Sequence, residues 1–444
     1  LILRSYQRAA LSETRAAIVS GKRAPLVVLP TGGGKTCLGA AMAEGHLARS
    51  QANRVVWLAH RRELVAQGAE TLRRVGLDVG ANGLNAGART QVASVQTVLR
   101  RGQAPEGTLV FLDEAHHFMS DEWRAFFDVY AHAIKVGLTA TPERGDGRAL
   151  GERFDHLVVG AQVQDLIAVW HADHTQGLVP VEVIRPRKLL APDKIAQTPV
   201  DAYMQYARGR RVVVFAPHIK ACQEFAAEFA AAGVRVRVVE GKTADETRDE
   251  SLALFAAGKV DVLVNCMVLT EGWDCPPADV CILARGCGSV GLMLQMCGRV
   301  MRPCEGKRGA LVIDLRGVTH TLGDPDEERV FSLDGDGIGR KGAAAGERFC
   351  KRCQALMPEV GPCVECGRAP DALVTPTATG DELAKFASMR ALTADKRVAW
   401  LAKQVRVMRE KGHKRGWLTY RYKAVFGHYP TSEMICEAER TVGS

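Results

Sequence analysis

The 444-residue sequence has no apolar stretch near the roughly eighteen residues that a membrane-spanning helix needs, so its 47% hydrophobic content points to a soluble protein. It has no secretory signal either, because Arg4 and Arg8 interrupt the first apolar residues. The chain opens on Leu1 rather than Met, and a short leader is expected upstream. No large excess of one charge is present: the net charge is +9, modest for this length. It is unevenly spread, however. Residues 381–444 hold 13 Lys and Arg against 7 Asp and Glu, which suits either a polyanion partner or a solvated basic face. Nine of the thirteen cysteines are scattered, and Cys37, Cys222, Cys266, Cys281 and Cys297 lie in apolar or helical stretches. They read as reduced core residues of an intracellular, cytoplasmic protein.

The length allows two or three domains. In the first half, short apolar runs (26–29, 55–58, 92–95, 109–112 and 136–138) alternate with helical patterns, the mark of a parallel sheet covered on both faces. The pattern fades near 161 and resumes at 212–215, 236–239, 262–264, 280–283 and 311–313, predicting a second α/β unit. Boundaries at 1–165 and 166–322 follow. The Pro-rich stretch 178–200 reads as a connector and the Gly- and Asp-rich stretch 323–346 as a flexible linker. Next come a cysteine cluster within 347–370 and, from 381 to 444, a basic module with a helical pattern to about 412.

"LVVLPTGGGKT" (26–36) is a strand running into a glycine loop. Backbone N–H groups of Thr31, Gly32, Gly33 and Gly34 can close around phosphate oxygens. Lys35 can reach the β/γ-phosphates and Thr36 can bind Mg²⁺, with the next helix aiming its N-terminus at the anion. Leu29 stands where the strict pattern wants glycine. About 80 residues later "FLDEAHHF" (111–118) ends an apolar run on two acids. Asp113 at a strand tip can hold the same Mg²⁺, and Glu114 can polarise an attacking water. The alternative, a metal bound directly by His116 and His117, is disfavoured because adjacent side chains diverge.

"PTGGGKT", "DEAH", "LTATP" (138–142) and "QMCGRVMR" (295–302), in this order, resemble superfamily 2 helicases and translocases. "LRSYQ" (3–7), "WLAHRRELVAQ" (57–67), "ASVQT" (93–97), "VVVFAPHI" (212–219) and "VLTEGWDCP" (268–276) resemble further motifs of that superfamily. The wording is closer to the bacterial RadD-like DNA-repair ATPases and their phage and plasmid relatives than to DEAD-box RNA helicases. The resemblance covers residues 1–320 and implies two tandem RecA-like domains with ATP in the cleft between them. It implies that Gln7, with Arg4 and Tyr6 nearby, recognises adenine. His116 would couple the nucleotide site to Thr139 and Thr141. Gly272 and Asp274 would contact the ribose and the cleft. Gln295, Arg299 and Arg302 would close onto the triphosphate, and two arginines three apart on a helix do share a face.

Nucleic-acid contacts should go mostly to phosphates. His60 and Arg61 precede a helix, where charge and backbone N–H groups both favour an anion, and Ser94, Gln96 and Thr97 add hydrogen-bonding groups. Cys350, Cys353, Cys363 and Cys366 form Cys-x2-Cys-x9-Cys-x2-Cys, a pattern for a structural zinc in a small ribbon; a redox dithiol is the weaker reading of paired motifs. "GHKRGWLTYRYKAVFGHYP" (412–430) interleaves Trp417, Tyr420, Tyr422, Phe426 and Tyr429 with basic residues. It suits stacking on single strands, a small aromatic core, or a socket for an acidic, apolar peptide. The resemblance implies single-strand-binding protein as such a partner.

The sequence therefore predicts an α/β protein with two tandem RecA-like parallel-sheet domains, a small zinc-ribbon module and a basic helical tail. The expected function is a nucleic-acid-dependent ATPase using ATP, Mg²⁺ and Zn²⁺, acting on single-stranded or branched DNA in repair or recombination. The alternatives are the motor of a restriction or anti-phage system, and an ATP-regulated DNA-binding remodeller that does not separate strands. No nuclease constellation and no wedge hairpin is evident in the sequence.

Overall fold

A computed structural model describes residues 2–81, 87–101, 104–117, 127–142, 149–174, 176–334, 375–385 and 430–443, with isolated positions between 398 and 422. The zinc motif, Cys350 to Cys366, lies outside the described residues, as does most of the aromatic stretch after Gly412.

The first sheet contains β1 (Pro25–Val28), β2 (Val55–Ala59), β3 (Val79–Ala81), β4 (Thr90–Ser94), β5 (Leu109–Asp113), β6 (Ile134–Thr139) and β7 (His156–Val159). Its spatial order is β3-β4-β2-β5-β6-β1-β7, and every pairing is parallel. β1, β2, β4 and β5 are buried at every position. Helices cover both faces, which is why these strands read as unbroken apolar runs. β6 lies between β1 and β5. The ends of these three strands thus carry the glycine loop, Thr139 and Asp113 to one edge, the usual ligand side of an open parallel sheet.

The second half adds β8 (Val181–Arg185), β9 (Lys194–Ile195), β10 (Val212–Phe215), β11 (Val236–Val239), β12 (Val262–Asn265), β13 (Val280–Leu283), β14 (Ala310–Asp314), β15 (Thr377–Ala378) and β16 (Ala384–Lys385). The large sheet runs β11-β12-β10-β13-β14-β8-β16, parallel except for β16, while β9 pairs with β15. One apolar cluster runs unbroken from Val27, Trp57 and Phe111 to Phe215, Leu263 and Met296, so the two sheets share a core.

Three expectations need correcting, and one open choice, the role of Tyr422, is narrowed to the small-core reading. The Pro-rich stretch 178–200 is not merely a connector, because β8 within it is an integral strand of the second sheet. Pro180 and Pro186 flank that strand, where no ladder N–H is required of them. The first part of the expected linker, 323–334, is a strap lying back on the first sheet's domain. Gln162 and Arg329 exchange two hydrogen bonds, with the Arg329 N–H to Gln162 Oε1 at 2.7 Å and Gln162 Nε2 to the Arg329 carbonyl at 2.9 Å. The Gly151 N–H donates to the Leu333 carbonyl at 2.7 Å, and Phe331 and Leu333, two apart, both pack inward. The helical pattern from 381 starts instead with β16, an edge strand. Finally, Tyr422 is fully buried among Val398, Leu401, Val405, Leu418, Ile435 and Ala438. It fills a small core and offers no face to a base. Among the described residues, no helix is long and apolar enough to cross a membrane.

Candidate active site in the interdomain cleft

After β1 the chain turns through Gly32 and Gly34, whose φ angles are +86° and +78°, and enters the helix Lys35–Leu47. A side chain would be strained in that left-handed region. Gly34 is required twice over, because a Cβ there would collide with the Gln7 amide. Gln7 is buried and donates to the carbonyls of Gly33 (3.1 Å) and Gly34 (3.3 Å), while its Oε1 accepts from the Arg4 N–H at 2.9 Å. Tyr6 donates to the Gly33 carbonyl at 3.1 Å and accepts from Arg4 Nη1 at 3.1 Å. Arg4, Tyr6 and Gln7 therefore brace the glycine loop from behind, a role the sequence reading did not assign them.

β5 delivers Asp113, and the backbone then passes through Glu114 at φ +51°, an uncommon conformation for a residue with a side chain. Both acids are buried. Lys35 Nζ lies 3.4 Å from Glu114 Oε1. Burial and the adjacent Glu114 carboxylate push Asp113 up to about 7, against the opposing pull of Lys35. Burial also works against the charge on Glu114, but Lys35, then His116 and Arg299, outweigh it and hold this carboxyl below its usual range.

His116 Nδ1 is 3.0 Å from Thr139 Oγ1 and 3.7 Å from Glu114 Oε2, and its Nε2 is 3.4 Å from Gln295 Nε2 of the second domain. Thr139 Oγ1 donates to the Thr141 carbonyl at 2.7 Å and accepts from the Thr141 N–H at 3.2 Å. With a proton on Nδ1 the imidazole donates to Thr139; a neutral ring accepts from the Gln295 amide as placed, and a charged ring donates to the flipped amide. The structure thus brings His116, Thr139, Thr141 and Gln295 together. The side chain of His117 lies outside the described residues.

The second domain meets the loop closely. A Cβ on Gly298 would lie 2.9 Å from Thr31 Cβ, and one on Gly32 would lie 3.6 Å from Arg302 Cγ. Arg302 pairs with Asp274. Arg299 is buried, with Nε donating to the Thr270 carbonyl at 2.9 Å and Nη1 to the Trp273 carbonyl at 2.5 Å. Burial, then Arg302, push its pKa down to about 9, with Glu114, Glu271 and Asp274 opposing. Arg299 is therefore committed to the 270–273 loop, whereas Arg302 is held only at the cleft edge. Gly272, at φ +72°, lets that loop approach to where a Cβ would be 3.0 Å from Glu63 Cβ.

The expected nucleic-acid residues are placed differently. His60 Nε2 is 2.7 Å, and Arg61 Nε 3.3 Å, from Glu271 Oε2 across the cleft. Arg62 pairs with Asp245 at 2.8 Å and Glu63 with Arg248 at 3.2 Å. Ser94 Oγ accepts from the Thr97 N–H at 3.2 Å and lies 2.7 Å from Thr97 Oγ1, which caps the short helix Val95–Arg101. Gln96 is exposed. Glu271 was missed as a site residue although it lies inside the quoted "LTEGWDCP" motif; four consecutive charged residues, 60–63, were the available hint that an opposing charged surface exists.

Residues 1–144 match the family model for the res subunit of type III restriction enzymes, and residues 195–304 match the helicase conserved C-terminal domain. The chain belongs to the superfamily 2 helicase-type ATPases. A 51.5 kDa protein of a Lactococcus phage is 28% identical over 350 residues, 75% of each chain. The putative mitochondrial ATP-dependent helicase irc3 of Schizosaccharomyces pombe is 30% identical over 348 residues, 71% of this chain and 57% of that one. The present chain thus spans only somewhat more than half of the fission-yeast protein. A fragment of a putative HsdR subunit of a type I restriction enzyme from Vibrio vulnificus shares the fold, with TM-score 0.58 and 21% identity over 76% of this chain and 70% of that one. In this helicase-type ATPase the superfamily motifs border the cleft between the two sheets.

The nucleotide site itself is a good fit for magnesium–ATP. Gly32 to Gly34 leave a cradle without side chains, Thr36 and Asp113 offer the hard oxygen ligands that magnesium prefers, and Glu114 Oε2 is buried with no hydrogen-bond partner. The raised Asp113 pKa has a testable sign. In the folded state it exceeds the unfolded value of about 3.9, so the folded protein holds the proton more tightly and loses stability as pH rises from about 4 to about 7. In chelator without nucleotide, Asp113→Asn should gain stability over wild type at pH 8 relative to pH 5, read by urea unfolding. The same pH slope in both proteins would contradict the assignment.

Proposed function

We propose that this chain hydrolyses ATP between its two sheets and couples hydrolysis to movement on, or remodelling of, DNA. The observation that carries this reading is the assembly across the cleft. From the first domain, Asp113 and Glu114 end a strand and Lys35 opens the helix after the glycine loop, 3.4 Å from Glu114; from the second domain, Gln295 reaches His116 and Arg302 lies beside Gly32. Thr36 and Asp113 would hold a magnesium ion, which would neutralise phosphate charge when bound. Lys35 exchanges Glu114 for the β/γ-phosphates, leaving Glu114 to orient and polarise water. Arg302 leaves Asp274 for the triphosphate, while Arg299 keeps the 270–273 loop in place. Gly272 and Asp274 line the ribose side, and adenine sits beside Gln7 and Arg4. The chain through His116, Thr139 and Thr141 reports the state of Glu114 to Gln295.

DNA enters through the charged clasp. A phosphate binding His60 and Arg61 must displace Glu271, which also opposes the charge on Glu114. Nucleic acid and the hydrolytic carboxylate are thereby linked through one acid. Gln96, with Ser94 and Thr97 setting its helix, adds a phosphate contact. Such contacts carry little sequence information and depend strongly on salt. Among similar proteins, the DNA 3'-5' helicase XPB of Kineococcus radiotolerans is 27% identical over 323 residues, which supports DNA over RNA. A second reading, the motor of a restriction or anti-phage system, is favoured by the restriction-enzyme family model over residues 1–144.

The RadD-like assignment, a DNA-repair role in the cytoplasm and a single-strand-binding partner rest on the motif wording and belong to the same proposal. So does a zinc ion held by Cys350, Cys353, Cys363 and Cys366, whose four thiolates are a structural donor set.

ATPase rates should rise clearly with at least one of single-stranded, duplex or forked DNA, compared with RNA and no nucleic acid. Glu114→Gln and Lys35→Ala should remove nearly all of the rate. A rate indifferent to every nucleic acid would sink the coupling to DNA. Elemental analysis should find about one zinc per chain, and retention of that zinc in a Cys350→Ser/Cys353→Ser variant would refute the site.

A further inference from the structure

Five residues beyond Arg302, a lysine is spent entirely on main chain. Lys307 Nζ donates to the carbonyls of Pro276 (2.8 Å), Ala278 (2.6 Å) and Arg302 (2.8 Å). An ammonium group has three hydrogens, and here each has an acceptor. A lysine that merely solubilised the exposed 304–308 turn would point to water. One that only closed its own turn would not reach 276 and 278. Two of its three acceptors instead follow Asp274 by two and four residues, and the third belongs to Arg302. Asp274 and Arg302 are the ion pair at the edge of the nucleotide cleft. One charge therefore fixes the backbone under both members of that pair.

We propose that Lys307 is a positioning residue for ATP hydrolysis, which holds the Arg302 main chain to the 276–278 turn so that Arg302 moves from Asp274 into the cleft by side-chain rotation alone. The proposal rests on the reading of the cleft as an ATP-hydrolysing site. Without the staple, the Arg302 backbone is tied to the turn by nothing equivalent among the described residues, and the guanidinium target drifts. A misplacement of about 1 Å costs on the order of 10²-fold in rate. ATP binding itself depends on the glycine loop and Lys35, which Lys307 does not touch.

Burial pushes the Lys307 ammonium down to about 8, although Asp279, Cys304 and Cys275 favour its charge; Arg210 adds to the effect of burial. Those four groups face it from the β13 approach, its own turn, the 274–276 loop and the segment before β10. Loss of the proton removes one donor and the charge from the staple.

Steady-state ATPase of Lys307→Met tests this. We expect kcat to fall about 10- to 100-fold, KM for ATP to stay within about threefold, and thermal unfolding to remain cooperative. A kcat within about twofold of wild type, or a KM that rises in step with the loss of kcat, would overturn the proposal. If the variant does not fold, the wild-type pH profile decides: kcat should fall with an apparent pKa near 8 while KM stays level. A kcat that is flat across that pH would overturn the proposal. Failure of the wild-type chain to hydrolyse ATP under any condition would be a different result, and would remove the cleft reading itself.

Discussion

Two carboxylates buried side by side at the end of β5 set the terms for everything around them. Asp113 and Glu114 repel each other where water screens poorly, so both cannot carry charge without cations close by. Lys35 supplies one from the helix after the glycine loop, and His116 and Arg299 support Glu114 from the DEAH turn and the second domain. Asp113 is left with a raised pKa, which a magnesium ion would reverse by replacing a proton with a larger charge. A buried pair of acids in this state favours a cation beside it.

The second constraint is close approach between domains. Glycines 32, 272 and 298 stand where a Cβ would press on Leu178, Glu63 or Thr31. The charged run 60–63 is engaged across the cleft at every residue: His60 and Arg61 with Glu271, Arg62 with Asp245, Glu63 with Arg248. Exposed pairs such as Arg62–Asp245 contribute little, about 0–1 kcal/mol each. Glu271 is different because it is buried and faces both the basic run and Glu114. The strap 323–334 adds hydrogen bonds and apolar contacts to the first domain.

Much of this was legible in the sequence. All ten predicted strand runs coincide with strands except at Leu29 and Val95, one residue past the ends of theirs, because strands buried on both faces must be continuously apolar. The nucleotide loop and the acids were legible because glycine, lysine and paired carboxylates at strand ends have few other uses. What escaped was of two kinds. Val181–Arg185 alternates polar and apolar residues between prolines and resembles a connector until β14 is seen beside it. Glu271, Lys307 and the loop-bracing hydrogen bonds of Gln7 depend on which segments the fold brings together, and spacing in the chain does not encode that. The same reasoning separates Arg299 from Arg302: the sequence puts both on one helix face, but the helix ends at Gly298, so Arg299 sits at its C-cap and Arg302 lies beyond it, opposite Asp274.

In the proposed mechanism the second domain supplies a cation, Arg302, to chemistry built on the first. The most direct measurement is ATP hydrolysis by Arg302→Ala, with ATP affinity measured alongside. Hydrolysis should fall by about 10³-fold or more, the range for a cation that acts on the transferring phosphoryl group, with affinity largely kept. A hydrolysis rate within about twofold of wild type would contradict the claim.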